Sequence, residues 1–528
     1  MEHRSEFVGL DVVEESYRQY DKDTVAVQTV GYTKYFKSTE TLHFYDKARE
    51  NNKSQLLPDQ MYLRDELVGF DGVEFSFQDQ LRGKNGYKQI SINKQYITEE
   101  VDKIVPPVKG NNVWLTINKQ VQMKTEQAIM DELSYIQTHL ISGGRTHPEA
   151  KTGYAVAMEV DTGKIVAMAS MPDYDTNIWG TGTASVENFK KLNNNYMNGT
   201  ITGISSGRSA NNLDSTVLLG STIKPLSVFI GLREKLFTTT TDYNDVGIAY
   251  FGKDKKFSVR NSQNHSYGYF KTPAKAIEMS SNAFMIDMVG NPLSKRKGAL
   301  NLWDKYMKEF GLGVLTGIDL PNERKGIADY MDTDATGSVQ ASLVYASFGQ
   351  GGKYTPLQLA QYTSTLANEG VRIKPQIVSK ITDQSGKVIK TYKREVLNTI
   401  KPDPSDKAYW SLIKRGMNTK VDAFNGFPYD FARKTGTSQQ DANRKMRDNG
   451  VFIAYAPRNH PKLAVAVIIP EGGFGGSSAA PIARKIFDAY DEEYGLDGVP
   501  KKAMNAAKTA ENSANAKSER LQNNESNH

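Results

Sequence analysis

Apolar and polar positions along the chain change period several times, and each change marks an element. Over residues 113–117 they alternate as in a strand, and over residues 120–140 Val121, Thr125, Ala128, Ile129 and Leu133 recur at helical spacing. Two strand patterns follow at 154–160 and 164–169, joined by Asp161-Thr162-Gly163, a good hairpin turn. Helical patterns then dominate over 221–236, 273–289, 300–310 and 356–369, strands return at 452–456 and 463–469, and 480–490 reads as a last helix. Strands, then many helices, then strands again require a sheet assembled from the two ends of one domain: an α+β architecture with helices packed on an antiparallel sheet. Ahead of it, residues 1–108 are polar and patchy, with short β-branched or aromatic stretches at 25–30 and 87–96, and read as a small mixed module. Pro106-Pro107 followed by Gly110-Asn111-Asn112 marks a linker, since two prolines continue neither ladder nor helix. The main domain is therefore expected over 109–497. Residues 498–528, rich in Lys, Ala, Asn, Ser and Glu and without an aromatic, are expected to be a disordered tail.

Composition narrows the chemistry. The 528 residues hold 66 Lys+Arg against 60 Asp+Glu, a net +6 that is too small to argue for nucleic acid. No cysteine is present, which excludes disulfides, thiolate metal sites, iron–sulfur clusters and a cysteine nucleophile. The histidines are scattered without zinc-ligand spacing, Gly311, Gly313 and Gly317 do not fit a dinucleotide fingerprint, and there is no phosphate loop, so no metal and no cofactor is expected. The first six residues lack an apolar core, and the longest apolar run, 463–469, is far short of the ~18 residues a membrane span needs.

Candidate chemistry sits first in Gly220-Ser221-Thr222-Ile223-Lys224-Pro225, which opens an apolar stretch through Leu232. At the start of a helix, Lys224 would lie on the same face as Ser221, with its amine over the hydroxyl. A serine hydroxyl needs a neighbouring base, and a lysine serves as one only when burial or a cationic neighbour lowers its pKa. The pattern is cheap: Ser91 with Lys94, Ser294 with Lys297 and Ser411 with Lys414 repeat it, and only Ser221 combines a preceding glycine with an apolar helix that would bury the lysine. Ser280-Ser281-Asn282 lies 59 residues downstream of Ser221 and offers a hydroxyl to relay a proton and an amide to orient a substrate carbonyl. Lys434-Thr435-Gly436-Thr437 follows 152 residues after Asn282, with Lys434 supplying charge, Thr435 a carboxylate-binding hydroxyl and Gly436 close access to a strand; Lys151-Thr152-Gly153 repeats the tripeptide out of order.

The ordered set S-x-x-K, S-x-N, K-T-G carries the weight that the single motifs lack. With it, the chain resembles a class B, monofunctional penicillin-binding protein. The likeness extends through Asp71-Gly72-Val73-Glu74, Leu81-Arg82-Gly83-Lys84-Asn85-Gly86, Val113-Trp114-Leu115-Thr116-Ile117-Asn118 with Gln122, the stretch from Thr162 to Met168, Thr316-Gly317-Ile318-Asp319-Leu320-Pro321, and Gly349-Gln350-Gly351 with Thr355-Pro356-Leu357-Gln358. It implies a serine β-lactamase/transpeptidase-like domain behind a pedestal or dimerisation-like module. It also makes Ser221 the acylated nucleophile, Lys224 its base, Ser280 and Asn282 the relay and positioning pair, and Lys434 with Thr435 the substrate holders. The backbone N–H groups of Ser221 and Thr437 would form the oxyanion hole.

The implied activity is D,D-transpeptidation of peptidoglycan stem peptides with release of D-Ala, inhibited covalently by β-lactams, with a membrane glycosyltransferase as partner. Leu219 stands where the family commonly has proline. Family members begin with a membrane anchor and a pedestal segment, and this sequence starts after both. A truncated chain is therefore expected, one that belongs at the extracytoplasmic face of the bacterial membrane once its anchor is restored. Two rival readings are a D,D-carboxypeptidase or β-lactamase that delivers water to the same acyl-serine, and a catalytically silent cell-wall scaffold. The N-terminal module speaks against the first and the full set of motif side chains against the second.

Overall fold

The computed structural model of the chain describes residues 16–53, 58–92, 98–204, 215–439 and 447–502. Within them the chain forms two compact units, one from Met1–Val113, Asp173–Tyr196 and Ile381–Lys390, the other from Trp114–Pro172, Met197–Lys380 and Thr391–His528.

In the first unit Thr33–Tyr35 pairs with Leu67–Gly69, and Tyr87–Ile92 with Thr98–Val105, both antiparallel. Tyr32 stacks on Trp179 at 4.4 Å, and Val27, Tyr174 and Leu192 complete that small core. Residues 173–196 thus belong to this unit despite their distance along the chain. The β-branched stretch at 25–30 forms the short helix Val27–Val30, entered through a left-handed Ala26. The chain folds back there because Gly31 crosses Asp71-Gly72 at close range; a Cβ on Gly31 would lie 1.9 Å from the Asp71 carbonyl oxygen. Of the tail expected over 498–528, residues 503–528 lie outside the described residues.

The second unit is α+β, as the pattern predicts. Helix α1, Lys119–Thr138, starts at Asn118, whose side chain accepts from the N–H groups of Gln120 and Val121. Strands β1, Gly153–Glu159, and β2, Ile165–Met171, form the expected hairpin, with Gly163 at φ 80° in the turn. Helix α2, Lys224–Arg233, and helix α3, Pro356–Ala367, come from the middle of the chain; α3 is opened by a capping box between Thr355 and Gln358. Strands β3, Ala432–Ser438, β4, Asn449–Ala456, and β5, Leu463–Ile469, precede the last helix, α4, Ala480–Glu493. The five strands make one antiparallel sheet in the order β3-β4-β5-β1-β2.

Strand β5 lies between β4 and β1, and all seven of its residues are fully buried. Its alternate residues Leu463, Val465, Val467 and Ile469 join a core with Ile129 and Leu133 of α1 and Ile486 and Phe487 of α4. Helix α3 packs on the sheet through β5 and β1, and every residue of this helix is buried. An apolar run without alternation is what a strand covered on both faces requires, each Val, Leu or Ile contributing about 1.5–3 kcal/mol. No helix among the described residues is long and apolar enough to cross a membrane.

Candidate active site

Ser221 occupies a 3-10 turn, Gly220–Ile223, that feeds directly into α2, with Pro225 in the first helical turn where its missing N–H costs nothing. Three glycines let this turn sit where it does. Gly220, at φ 52°, donates its N–H to the Gly349 carbonyl at 2.9 Å, and a Cβ on Gly349 would meet the Gly220 oxygen at 1.9 Å. On the other side the turn lies against β3: a Cβ on Gly220 would reach the Thr437 carbonyl oxygen at 2.6 Å, and one on Gly436 the Leu219 oxygen at 2.8 Å and Thr222 Cγ2 at 2.9 Å. Gly436 therefore gives the serine turn itself, not only a substrate, its close approach to the strand. Tyr362 of α3, fully buried, donates its hydroxyl to the Thr222 carbonyl at 3.0 Å and fixes the turn from behind.

The helix expected over 273–289 is broken at the second motif. Pro273–Glu278 is helical, Ser280 adopts a left-handed backbone at φ 58°, and after the short turn Asn282–Phe284 the chain continues as a π-helix, Met285–Gly290. Non-glycine residues in that conformation and π-turns both concentrate at functional sites, because the surrounding structure must hold them there. The break turns Ser280 and Asn282 toward Lys224. The lysine is fully buried, and its Nζ donates to the Ser280 carbonyl at 2.7 Å, Ser280 Oγ at 3.2 Å and Asn282 Oδ1 at 2.7 Å.

Strand β3 brings the third motif to the same hydroxyl. Its residues alternate in burial, Lys434, Gly436 and Ser438 buried, Thr435 and Thr437 partly exposed, and it is an edge of the sheet. Lys434 Nζ donates to Ser280 Oγ at 3.0 Å and to the Thr435 carbonyl at 3.1 Å. Ser280 Oγ thus lies between two buried amines. Burial drives the Lys224 pKa down from 10.5 to about 7, with the charge of Asp245 opposing the shift. Burial also lowers Lys434 well below its ordinary value, reinforced by the charges of Lys224 and Arg433.

The expectation that the Lys224 amine sits over the Ser221 hydroxyl meets a different arrangement. Ser221 and Lys224 are three residues apart in a tight turn, but the three donors of the ammonium are taken by the Ser280–Asn282 loop, and Ser221 Oγ is not among its partners. A protonated amine satisfies acceptors first; only the neutral amine has a lone pair to offer a hydroxyl.

The competing motifs have ordinary structural roles. Ser91 Oγ donates to Asp102, Ser294 Oγ to the Asn291 carbonyl at 2.8 Å, and Lys414 pairs with Glu369 at 2.7 Å beside an exposed Ser411. Lys94 lies outside the described residues, and the early Lys151-Thr152-Gly153 leads into β1 with its lysine exposed. Sequence reasoning missed Asp245 and Asn261, which brace the second motif, and Tyr362. None of them belongs to a motif, and only folding brings them to the site.

A serine on a glycine-seated turn, a buried lysine of lowered pKa three residues on, and a second lysine reaching in from the edge of an antiparallel sheet define an active-serine acyl-transfer site. Comparison with known proteins gives the same class: the description "Penicillin binding protein transpeptidase domain" matches residues 153–488, and "Penicillin-binding Protein dimerisation domain" matches residues 1–115. The chain belongs to the penicillin-binding protein transpeptidase family, with the dimerisation module of its class B members. It is similar to the peptidoglycan D,D-transpeptidase MrdA of Salmonella typhimurium, 28% identical over 517 residues that cover 91% of this chain and 74% of that protein. Among solved structures it resembles penicillin-binding protein 2B of Streptococcus pneumoniae, with a TM-score of 0.66 and 25% identity over 88% of this chain and 72% of that one. It also resembles the penicillin-binding protein PBP2 of Helicobacter pylori in a complex with MreC, with a TM-score of 0.68 and 20% identity over 90% of this chain and 79% of that one.

Proposed function

We propose that the chain is a peptidoglycan D,D-transpeptidase in which Ser221 is the nucleophile and Lys224 its base. Ser221 Oγ attacks the carbonyl carbon of the D-Ala-D-Ala bond in a stem peptide and passes its proton to the neutral Lys224 amine. Ser280, between the two lysines, relays a proton to the departing D-Ala nitrogen, and the acyl group stays on Ser221. An amine from a neighbouring strand then attacks the ester, loses a proton along the same path, and releases the serine. Asn282 orients the substrate, Lys434 and Thr435 hold its terminal carboxylate, and the N–H groups of Ser221 and Thr437 take the developing oxyanion. The single observation that carries this reading is Ser280 Oγ lying 3.2 Å from Lys224 Nζ and 3.0 Å from Lys434 Nζ. β-Lactams, whose amide and carboxylate reproduce the dipeptide, would be held and would acylate in the same way.

The transpeptidase domain is assigned to 109–497, with its segments 173–196 and 381–390 grouped with the compact unit of the pedestal module over 1–108, and a polar tail over 498–528 follows. The place of action is the extracytoplasmic face of the bacterial membrane, and the partners are a glycosyltransferase that supplies nascent strands and, as for the H. pylori protein, an MreC-like scaffold. The test is incubation of the purified chain with a D-Ala-D-Ala stem peptide and a D-amino-acid acceptor. Release of D-Ala together with the aminolysis product supports transpeptidation. Release with free acid as the main product would assign a carboxypeptidase instead.

A further inference from the structure

Beneath the second motif lies a polar cluster that the acyl-transfer steps do not use. Asp245 ends the strand Tyr243–Asp245, which pairs with Gly268–Phe270, and it is fully buried. Its Oδ1 accepts from the Gly247 N–H and from Asn261 Nδ2, each at 2.8 Å, and its Oδ2 accepts from the Ser281 hydroxyl. Ser281, the middle residue of the motif, also caps the next turn, accepting from the Phe284 N–H at 2.9 Å. Asn261, 3% exposed, turns its Oδ1 to the N–H groups of Asn282 and Ala283 at 2.7 and 3.0 Å. One carboxylate therefore reaches the Ser280–Ala283 loop by two routes, through a hydroxyl and through an amide.

We propose that Asp245 is a positioning residue for acylation, its buried carboxylate holding the Ser280–Asn282 loop in its working shape through Ser281 and Asn261. This rests on the assignment of Ser221, Lys224 and Ser280 made above. The loop needs such a hold because Ser280 is left-handed without being glycine, a conformation that persists only where its surroundings over-determine it. Should the loop relax, the carbonyl and hydroxyl of Ser280 and the amide of Asn282 leave Lys224 Nζ together, since all three ride on the same few residues. A buried carboxylate is costly unless its oxygens are filled, and here donors from three residues fill them, which is the condition for a rigid support.

The carboxylate also acts at a distance. Its charge favours the protonated form of Lys224, against the burial that disfavours it. The groups it faces electrostatically are Lys224, Tyr243, Tyr267 and Asp287; on β3, Lys434 is in turn acted on by the charges of Lys224 and Arg433. Removing the Asp245 charge should therefore leave Lys224 easier to deprotonate, so that the neutral base appears at a lower pH.

Penicillin acylation separates this role from general support of the fold. Asp245→Asn and Ser281→Ala are compared with the parent by burst amplitude, which counts competent sites, and by the acylation rate constant across pH. Both variants should keep their amplitude and lose on the order of 10- to 100-fold in rate constant, as small misplacements of reacting groups do. Asp245→Asn should also move the midpoint of its pH profile to lower pH, whereas Ser281→Ala, which keeps the charge, should not. A parental rate constant in Ser281→Ala, or an Asp245→Asn profile with the parental midpoint, overturns the proposal. If Asp245→Asn does not fold, Ser281→Ala decides alone: a slowed rate constant at full amplitude supports the positioning role, and a parental one refutes it. Absence of any acylation in the parent would instead count against the assignment of Ser221.

Discussion

Two buried lysines of lowered pKa stand in the site, and Lys224 is the one assigned as base. Lys224 has no exposed surface, and burial brings its pKa from 10.5 to about 7. At pH 7 an ordinary lysine is neutral in about 1 molecule in 3,000, whereas a group titrating at 7 is neutral in about half, a gain of roughly 1,600-fold in available base. Between pH 6 and pH 8 the neutral fraction climbs from about 0.09 to about 0.91 and then saturates. The acylation rate constant, followed by rapid quenching with a labelled penicillin between pH 5.5 and 9, should rise about tenfold from pH 6 to 8 and level off above. An unperturbed lysine would give about a hundredfold rise over the same range with no plateau. A rate still climbing in proportion to hydroxide at pH 9, or one flat from pH 6 upward, would refute the argument that burial tunes this base. Stability carries the matching sign. The folded-state pKa lies below the unfolded one, so between about 7 and 10.5 the unfolded chain holds a proton that the folded chain has released. The stability contribution of Lys224 therefore improves as pH rises through that window and is least favourable below it. Lys224→Met should gain in Tm relative to the parent as the pH is lowered from 9 to 6, and a Tm difference independent of pH would contradict this.

The other expected outcomes concern how the site is held. Gly349→Ala places a Cβ 1.9 Å from the Gly220 oxygen at a φ of 95°; it should cost about 2–4 kcal/mol in urea unfolding and depress acylation further, and parental stability would mean that the serine turn is not seated there. Tyr362→Phe removes the hydroxyl bond to the Thr222 carbonyl and should cost about 1 kcal/mol in the same assay, with the Ser221 label retained. Lys434→Ala should weaken recognition of carboxylate-bearing penicillins more than that of esters lacking the charge, and equal losses for both would remove Lys434 from carboxylate binding.

Much of the sheet was legible because its strands carry local signatures. The hairpin announced itself through Asp161-Thr162-Gly163, and β5 through an unbroken run that only two-sided burial explains. That one sheet is built from both ends of the domain, with helices between, was legible as well; the order β3-β4-β5-β1-β2 and the edge strand Ala432–Ser438 emerge only from the structure. The break at Ser280 was not legible, since residues 273–289 keep a helical pattern while tertiary bonds from Asn261 and Asp245 override it. Nor was the membership of residues 173–196 in the first unit, which rests on Trp179 meeting Tyr32 far away in sequence. The motif residues could be picked out by order and spacing. Their mutual geometry could not, because Ser280, Lys224 and Lys434 meet only after three distant segments pack together.

Acyl transfer through Ser221 is checked by mass analysis after mixing the chain with excess penicillin. One adduct per chain is expected, carried on the peptide that contains Ser221, absent in Ser221→Ala, with ring opening that stops after the first equivalent. An adduct on Ser91, Ser294 or Ser411, or sustained ring opening at about 1 per second or faster, would contradict it.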